Sequence, residues 1–168
     1  MSETGKSQGN RPLVRVRMAT AGDYLAWYRL WQGYLAFYEA SVPTEVTQAT
    51  WRRCLSDVWP MDCLVAVVDG DLVGFAIVVT HPGTWSRQQV GYLEDLFVAS
   101  SARGQGVGRA LLEACAARGR QFGWRRLYWQ TKADNATARV LYDQVAEATD
   151  WVRYDWDLGE LNCGPRSP

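Results

Sequence analysis

The most constraining feature of this chain is a strand that runs into glycines which open a helix. Tyr92-Leu93-Glu94-Asp95-Leu96-Phe97-Val98 has the apolar, β-favouring composition of a buried strand. Shortly after it come Arg103-Gly104-Gln105-Gly106-Val107-Gly108, and then an amphipathic helix that reaches about Phe122, with Gly123 as its stop. A helix start carries backbone N–H groups without intrahelical partners and the positive end of the helix dipole. Together these make an anion site. Glycine lets the backbone approach a phosphate with no Cβ in the way. The segment therefore predicts an α/β domain that binds a phosphorylated ligand.

Two familiar phosphate sites do not fit. A nucleotide-triphosphate loop ends in Gly-Lys-Ser/Thr, whereas Gly108 is followed by Arg109-Ala110. A dinucleotide fingerprint needs glycine where Arg109 stands and an acidic residue at the end of the strand near Thr131, and neither is present.

The rest of the chain supplies a mixed α/β pattern. Leu13 to Met18 alternates apolar and basic residues, as a half-buried strand does. Thr20 and Asp23 form an imperfect capping box before a helix whose Trp27, Leu30, Trp31, Tyr34, Phe37 and Tyr38 share one broad face. A second helix starts after Pro43 and is predicted to end near Pro60. Strands are expected at Cys63 to Val68 and Leu72 to Thr80, joined by the turn signal Asp69-Gly70. His81 to Trp85 is read as a loop. A strand from Arg125 to Thr131, a helix from Asn135 to about Glu147 and a closing strand from Trp151 to Leu158 complete the pattern. Residues 1–11 are read as a disordered lead-in, 12–159 as one domain and 160–168 as a polar tail.

Charge and cysteine content narrow the function classes. Eighteen lysines and arginines balance eighteen acidic residues, so no broad positive field marks the chain for nucleic acid. Cys54, Cys63, Cys115 and Cys163 show no Cys-x-x-Cys spacing, and His81 is the single histidine. A metal site is not expected, and reduced, packed thiols in the cytoplasm are. No run is long enough to span a bilayer.

Arg103-x-x-Gly106-x-Gly108 resembles the Arg/Gln-x-x-Gly-x-Gly/Ala signature of the GNAT acetyltransferase superfamily, and it stands where that family places it, after the fourth strand. Residues 92–98 are similar to the matching strand of the diamine acetyltransferases. Trp31-Gln32-Gly33-Tyr34 and Phe37-Tyr38 are similar to the Hpa2-like branch. The resemblance covers Leu13 to Leu158. It implies a mixed sheet of about six to seven strands with helices on both faces, and acetyl-CoA as co-substrate. It also implies that the amides of Gly104, Gln105, Gly106, Val107, Gly108 and Arg109 hold the pyrophosphate, with Arg103 and Arg109 adding charge. The backbone of Leu96, Phe97 and Val98 would pair with the pantetheine arm where the fourth and fifth strands splay. A homodimer is a further expectation.

Acetyl transfer to an amine needs a deprotonated nucleophile, a stabilised oxyanion and a protonated leaving thiolate. No serine or cysteine triad is present, which favours direct attack. Asn135 and Tyr142 lie seven residues apart on one helix face. The same spacing occurs in a GNAT motif where the asparagine contacts the cofactor and the tyrosine lies near the sulfur, which implies Tyr142 as general acid. Glu94 and Asp95 are adjacent in a strand and should face opposite ways. By resemblance Glu94 binds the acceptor ammonium and relays its proton, with Asp95 a structural partner or second substrate contact. Trp31 and Tyr34 are candidate walls of the acceptor pocket, meeting a cation through their rings, although such helix stripes are mostly core. A silent acyl-CoA sensor on the same fold is the competing class, and the presence of Tyr142 and Glu94 favours the enzyme.

Overall fold

The computed structural model describes residues 13–158, so the expected lead-in, the polar tail and Cys163 lie outside the described residues. Two compact units divide the chain, Met1–Ala133 and Asp134–Pro168.

In the first unit the elements are β1 (Arg15–Met18), a 3-10 turn (Ala21–Asp23), α1 (Tyr24–Phe37), α2 (Thr44–Cys54), β2 (Met61–Val68), β3 (Asp71–Pro82), β4 (Gln89–Val98), α3 (Val107–Gln121) and β5 (Arg126–Tyr128). The strands form one sheet in the order β1-β2-β3-β4-β5. Pairing is antiparallel from β1 to β4, and β5 runs parallel to β4. The Thr20 box forms: Thr20 donates its amide (2.7 Å) and its hydroxyl (2.8 Å) to Asp23. Arg17 grips the same carboxylate at 2.7 Å and holds it well below the usual carboxylate range.

Alternation along the central strands sorts the core into two layers. Cys63, Val65, Phe75 and Ile77 face α1 and α2, where they pack with Trp27, Leu30, Trp31, Leu35, Trp51 and Cys54. Gly74 lies on the opposite face. A Cβ there would stand 3.3 Å from both Val107 and Leu111, so α3 rides close on that side. Asp62 shares that parity and pairs with Arg118 of α3 at 2.7 Å. The helices therefore cover both faces, as expected. Cys54, Cys63 and Cys115 are buried and unbridged. No metal-binding cluster occurs among the described residues. None of their helices is long and apolar enough to cross a membrane.

Four expectations need correction. The sheet has five strands rather than six or seven, because residues 151–158 carry no strand among the described residues. Their alternation suits a strand, but a strand also needs a ladder partner and a face to bury, and Trp151 and Trp156 are 80% and 87% exposed. The second helix ends at Cys54 rather than near Pro60, because the Leu55 and Ser56 amides turn back to Arg52 and Arg53 and the Ser56 hydroxyl takes the Val58 amide at 3.3 Å. His81 and Pro82 belong to β3, paired with Val90 and Gln89, and not to a loop. In the second unit the helix, α4, spans Ala136–Tyr142 and stops short of Glu147, since the Val145 and Ala146 amides both close onto the Tyr142 carbonyl.

Candidate active site

The glycine segment forms an open cradle. Gly104 and Gly106 have φ of +75° and +87°, a region L side chains rarely adopt. A Cβ at either position would meet nothing within 4 Å, so the surface above both is clear. Gly106 is the N-cap of α3, and the Ala110 amide makes a helical bond to its carbonyl at 3.0 Å. The amides of Val107 and Gly108 therefore have no intrahelical acceptor and lie at the positive end of a fifteen-residue helix. This geometry fits a pyrophosphate.

The loop is held from below. Gln105 donates to the Ser101 carbonyl at 3.1 Å, and Arg103 donates its Nε to the Val98 carbonyl at 3.1 Å. The Arg103 guanidinium lies 5.8 Å from the Phe37 and Phe97 ring centres, so this arginine ties the cradle to the end of β4 and to α1. Arg109 lies 3.9 Å from Glu113, one turn along the helix.

Beside the cradle β4 loses its neighbour. β5 pairs with it only at Val90, Gly91 and Tyr92. From Leu93 to Val98 the strand pairs with β3 alone among the described residues, and Leu96, Phe97 and Val98 fall in this stretch. Trp124 packs at the paired end of β4. Its ring wedges against Gly91 of β4 and Gly119 of α3, where an added Cβ would sit 2.5 Å and 2.8 Å from it. An edge of unpaired peptide groups can take an extended arm as an added strand.

The acceptor side is shaped by a β-bulge. Ile77 of β3 pairs with Asp95 and Val78 pairs with Leu93, so Glu94 is the extra residue of β4. Glu94 is exposed. Asp95 lies opposite Ile77, on the face that α1 covers. Burial pushes the Asp95 carboxyl up to about 6, the neighbouring Tyr34 hydroxyl opposes that rise, and the Glu94 charge adds to it. Burial and the Asp95 charge push the Tyr34 and Tyr38 hydroxyls up. Tyr34 is fixed by rings at 5.1 Å (Tyr38), 6.0 Å (Phe75) and 6.2 Å (Phe97), and Lys132 lies 5.6 Å from the Tyr38 ring centre. Trp31 belongs to the core instead: it is 6% exposed and gives its indole N–H to Thr47 at 3.1 Å.

In its own unit α4 has Asn135 as its N-cap, accepting the Ala138 amide at 3.4 Å, and Tyr142 as its last residue. The bulge and the place of Lys132 beside the Tyr38 ring were not visible in the sequence. Two adjacent acids in an otherwise apolar strand were the single hint.

Comparison with known proteins gives the family. The model of the acetyltransferase (GNAT) family matches residues 27–146. The chain is a GNAT acetyltransferase. Its relatives include the D-amino-acid N-acetyltransferase HPA3 of Saccharomyces cerevisiae, 36% identical over 143 residues, covering 84% of this chain and 89% of the relative. The aminoglycoside N(6')-acetyltransferase type 1 of Stenotrophomonas maltophilia is 36% identical over 145 residues, covering 83% and 90%. A solved ribosomal-protein-alanine N-acetyltransferase of Brucella melitensis biovar Abortus 2308 superposes with a TM-score of 0.72 at 26% identity, covering 88% of this acetyltransferase and all of that chain. Enzymes of this family use acetyl-CoA, and the protein is an acetyl-CoA-dependent N-acetyltransferase.

Proposed function

We propose that this acetyltransferase moves the acetyl group directly to the primary amine of a small molecule within a ternary complex. The observation that carries the reading is the open glycine-lined start of α3 beside the edge of β4 that β5 leaves uncovered. The amides of Gly104, Gln105, Gly106, Val107, Gly108 and Arg109 hold the pyrophosphate. Leu96, Phe97 and Val98 receive the pantetheine arm, and an amide near Phe97 or Val98 meets the negative charge that develops on the carbonyl oxygen. Asn135 adds a cofactor contact. Acetyl-CoA supplies the thioester carbonyl that the amine attacks.

Asp95 and Glu94 make the acceptor side anionic, which suits an ammonium. Asp95, half-ionised near pH 6, is charged at neutral pH and holds that ammonium against the α1 face, with Tyr34 beside it. Glu94, exposed on the bulge, accepts the proton through water. The nitrogen then bonds to the acetyl carbon as the carbon–sulfur bond breaks, Tyr142 gives its proton to the departing thiolate, and the second proton lost by the nitrogen returns to Tyr142 through water. The Tyr142 role is supported by its seven-residue spacing from Asn135. The activities for which the relatives are named, on D-amino acids and on an aminoglycoside, support a small primary amine. The similarity to the Hpa2-like and diamine branches adds polyamines to that class.

Tyr142→Phe tests the reading. It keeps the ring and removes the hydroxyl, so turnover at saturating acetyl-CoA should fall on the order of a hundredfold while cofactor affinity holds. Glu94→Gln should lower turnover as well, with the amine KM little changed and the pH–rate profile shifted. Full turnover by Tyr142→Phe would remove the general-acid role.

A further inference from the structure

Tyr128 is the last residue of β5 and stands where that strand parts from β4. It pairs with Tyr92, and the two rings lie 4.9 Å apart. Tyr92 opposes Val79 and Asp95 opposes Ile77. Across the bulge Tyr92 and Asp95 are therefore successive residues of β4 on the face toward α1, about 7 Å apart at Cα. Tyr128 thus borders the acceptor side. An arm paired with Val98, Phe97 and Leu96 would bring its thioester end toward this same vertex. From β3, His81 reaches over β4 to the Tyr128 hydroxyl: Nε2 lies 3.0 Å from the phenol oxygen, and the rings meet edge to face. The other ring nitrogen, Nδ1, lies 2.9 Å from the Pro82 carbonyl oxygen. A carbonyl only accepts, so Nδ1 carries the hydrogen and Nε2 of the neutral ring presents a lone pair. Tyr128 must therefore donate to His81. A phenol has one hydrogen, so its oxygen meets any other partner as an acceptor. The ring is held in place as well: Arg126 lies 5.0 Å from its centre, and its neighbour Tyr92 takes a hydrogen bond from Gln130 at 3.3 Å.

We propose that Tyr128 is a further acceptor-binding residue, whose oxygen takes an N–H of the incoming amine, and that His81 is a positioning residue that keeps this oxygen an acceptor by taking the phenol's own hydrogen. The proposal rests on the reading of the Asp95 side of the split as the acceptor site. A hydroxyl without a fixed partner can turn its hydrogen toward an ammonium, which sets donor against donor. The His81 bond removes that arrangement before the amine arrives. The count of hydrogens then selects the amine. A primary ammonium carries three N–H groups. Asp95 takes one, Tyr128 takes another, and the third is left for the water that leads to Glu94. An N-methyl amine has one N–H fewer and leaves one of these acceptors unfilled, which costs binding. The site therefore suits an unsubstituted amino group, whether on an amino acid, an amino sugar or a polyamine.

The test has a spectroscopic arm and a kinetic arm. His81 is the single histidine of the chain, so the nitrogen-15 resonances of its ring need no further assignment. In the neutral ring Nδ1 should carry the hydrogen, and Tyr128→Phe should move the Nε2 signal. Adding an amine together with CoA, a pair that cannot react, should move the Nε2 signal in the wild type and leave it in place in Tyr128→Phe. The kinetic arm uses whichever of a D-amino acid, an aminoglycoside and spermidine gives amine-dependent thiol release. Tyr128→Phe should raise the amine KM about tenfold or more, the scale of one hydrogen bond to a charged group. Acetyl-CoA affinity should hold, and the preference for the amine over its N-methyl derivative should narrow. His81→Phe keeps the ring's bulk and should raise the amine KM several-fold. His81→Gln sets an acceptor near the place of Nε2 and should recover part of that loss. A neutral ring with its hydrogen on Nε2 overturns the proposal. So does a Tyr128→Phe variant that keeps both the amine KM and the N-methyl preference, and equal losses in His81→Phe and His81→Gln overturn the positioning role. If no amine gives release, or if Asp95→Asn leaves the amine KM unchanged, the underlying reading of the acceptor site fails, and that result is separate from the tautomer.

Discussion

Gly106 offers the sharpest test of the cradle, because charge can be separated there from strain. At φ +87° a non-glycine residue is strained by about 1–2 kcal/mol, and Asn and Asp tolerate the region better than most. A side chain would meet no atom within 4 Å, so neither substitution clashes. Gly106→Asn and Gly106→Asp thus share shape and backbone cost and differ in one negative charge. Without ligand that charge sits at the positive end of α3 and adds about 0.3–1 kcal/mol of stability. With a pyrophosphate in the cradle it stands among like charges. Two unit charges about 4 Å apart repel by about 1–4 kcal/mol for an effective dielectric between about 80 and 20. We expect the aspartate variant to be at least as stable as the asparagine variant and to bind acetyl-CoA tenfold or more weakly. Calorimetric titration reads this directly, and the gap should narrow in high salt. Equal affinities for the two variants, both close to wild type, would refute the cradle.

Asp95 should make the fold less stable as pH rises. Its folded carboxyl lies near 6 against an ordinary 3.8. Stability is therefore lost between about pH 4 and 6, by about 1–3 kcal/mol at roughly 1.4 kcal/mol per unit with allowance for partial exposure. Asp95→Asn should gain that much over wild type between pH 4 and pH 8 in urea unfolding, and a pH-independent difference would count against burial as the cause. Gly119→Ala places a Cβ 2.8 Å from the Trp124 ring. The crowding should cost about 1–3 kcal/mol and disturb the start of the β4–β5 split, so thermal stability and acetyl-CoA affinity should fall together. An unchanged melting temperature would show that the ring yields freely.

Much of the fold was legible because local rules agree with the global arrangement. The Thr20–Asp23 box, the Asp69-Gly70 turn and the strand–glycine–helix run are each set by a few neighbouring residues, and each appears where the sequence places it. Residues 151–158 show the limit. Alternation reports which residues suit a strand but not whether another strand lies beside them. The site divides in the same way. Gly104 and Gly106 are readable because glycine is required by their own backbone. Glu94 and Asp95 were assigned opposite faces by simple alternation, yet the bulge that decides their neighbours depends on register with β3. That Tyr34 packs on Phe97, on the face where Asp95 lies, follows only from how closely α1 sits on β4.

The central claim is direct, amine-dependent acetyl transfer. Its most direct measurement is thiol release from acetyl-CoA by the purified protein across D-amino acids, aminoglycosides and polyamines, with the product weighed by mass spectrometry. The account predicts that at least one class gives saturable release, with one acetamide formed per thiol and no acetyl group left on the protein. Acetyl-CoA binding with no amine-dependent release in any class, or an acetylated protein as the first product, would contradict it.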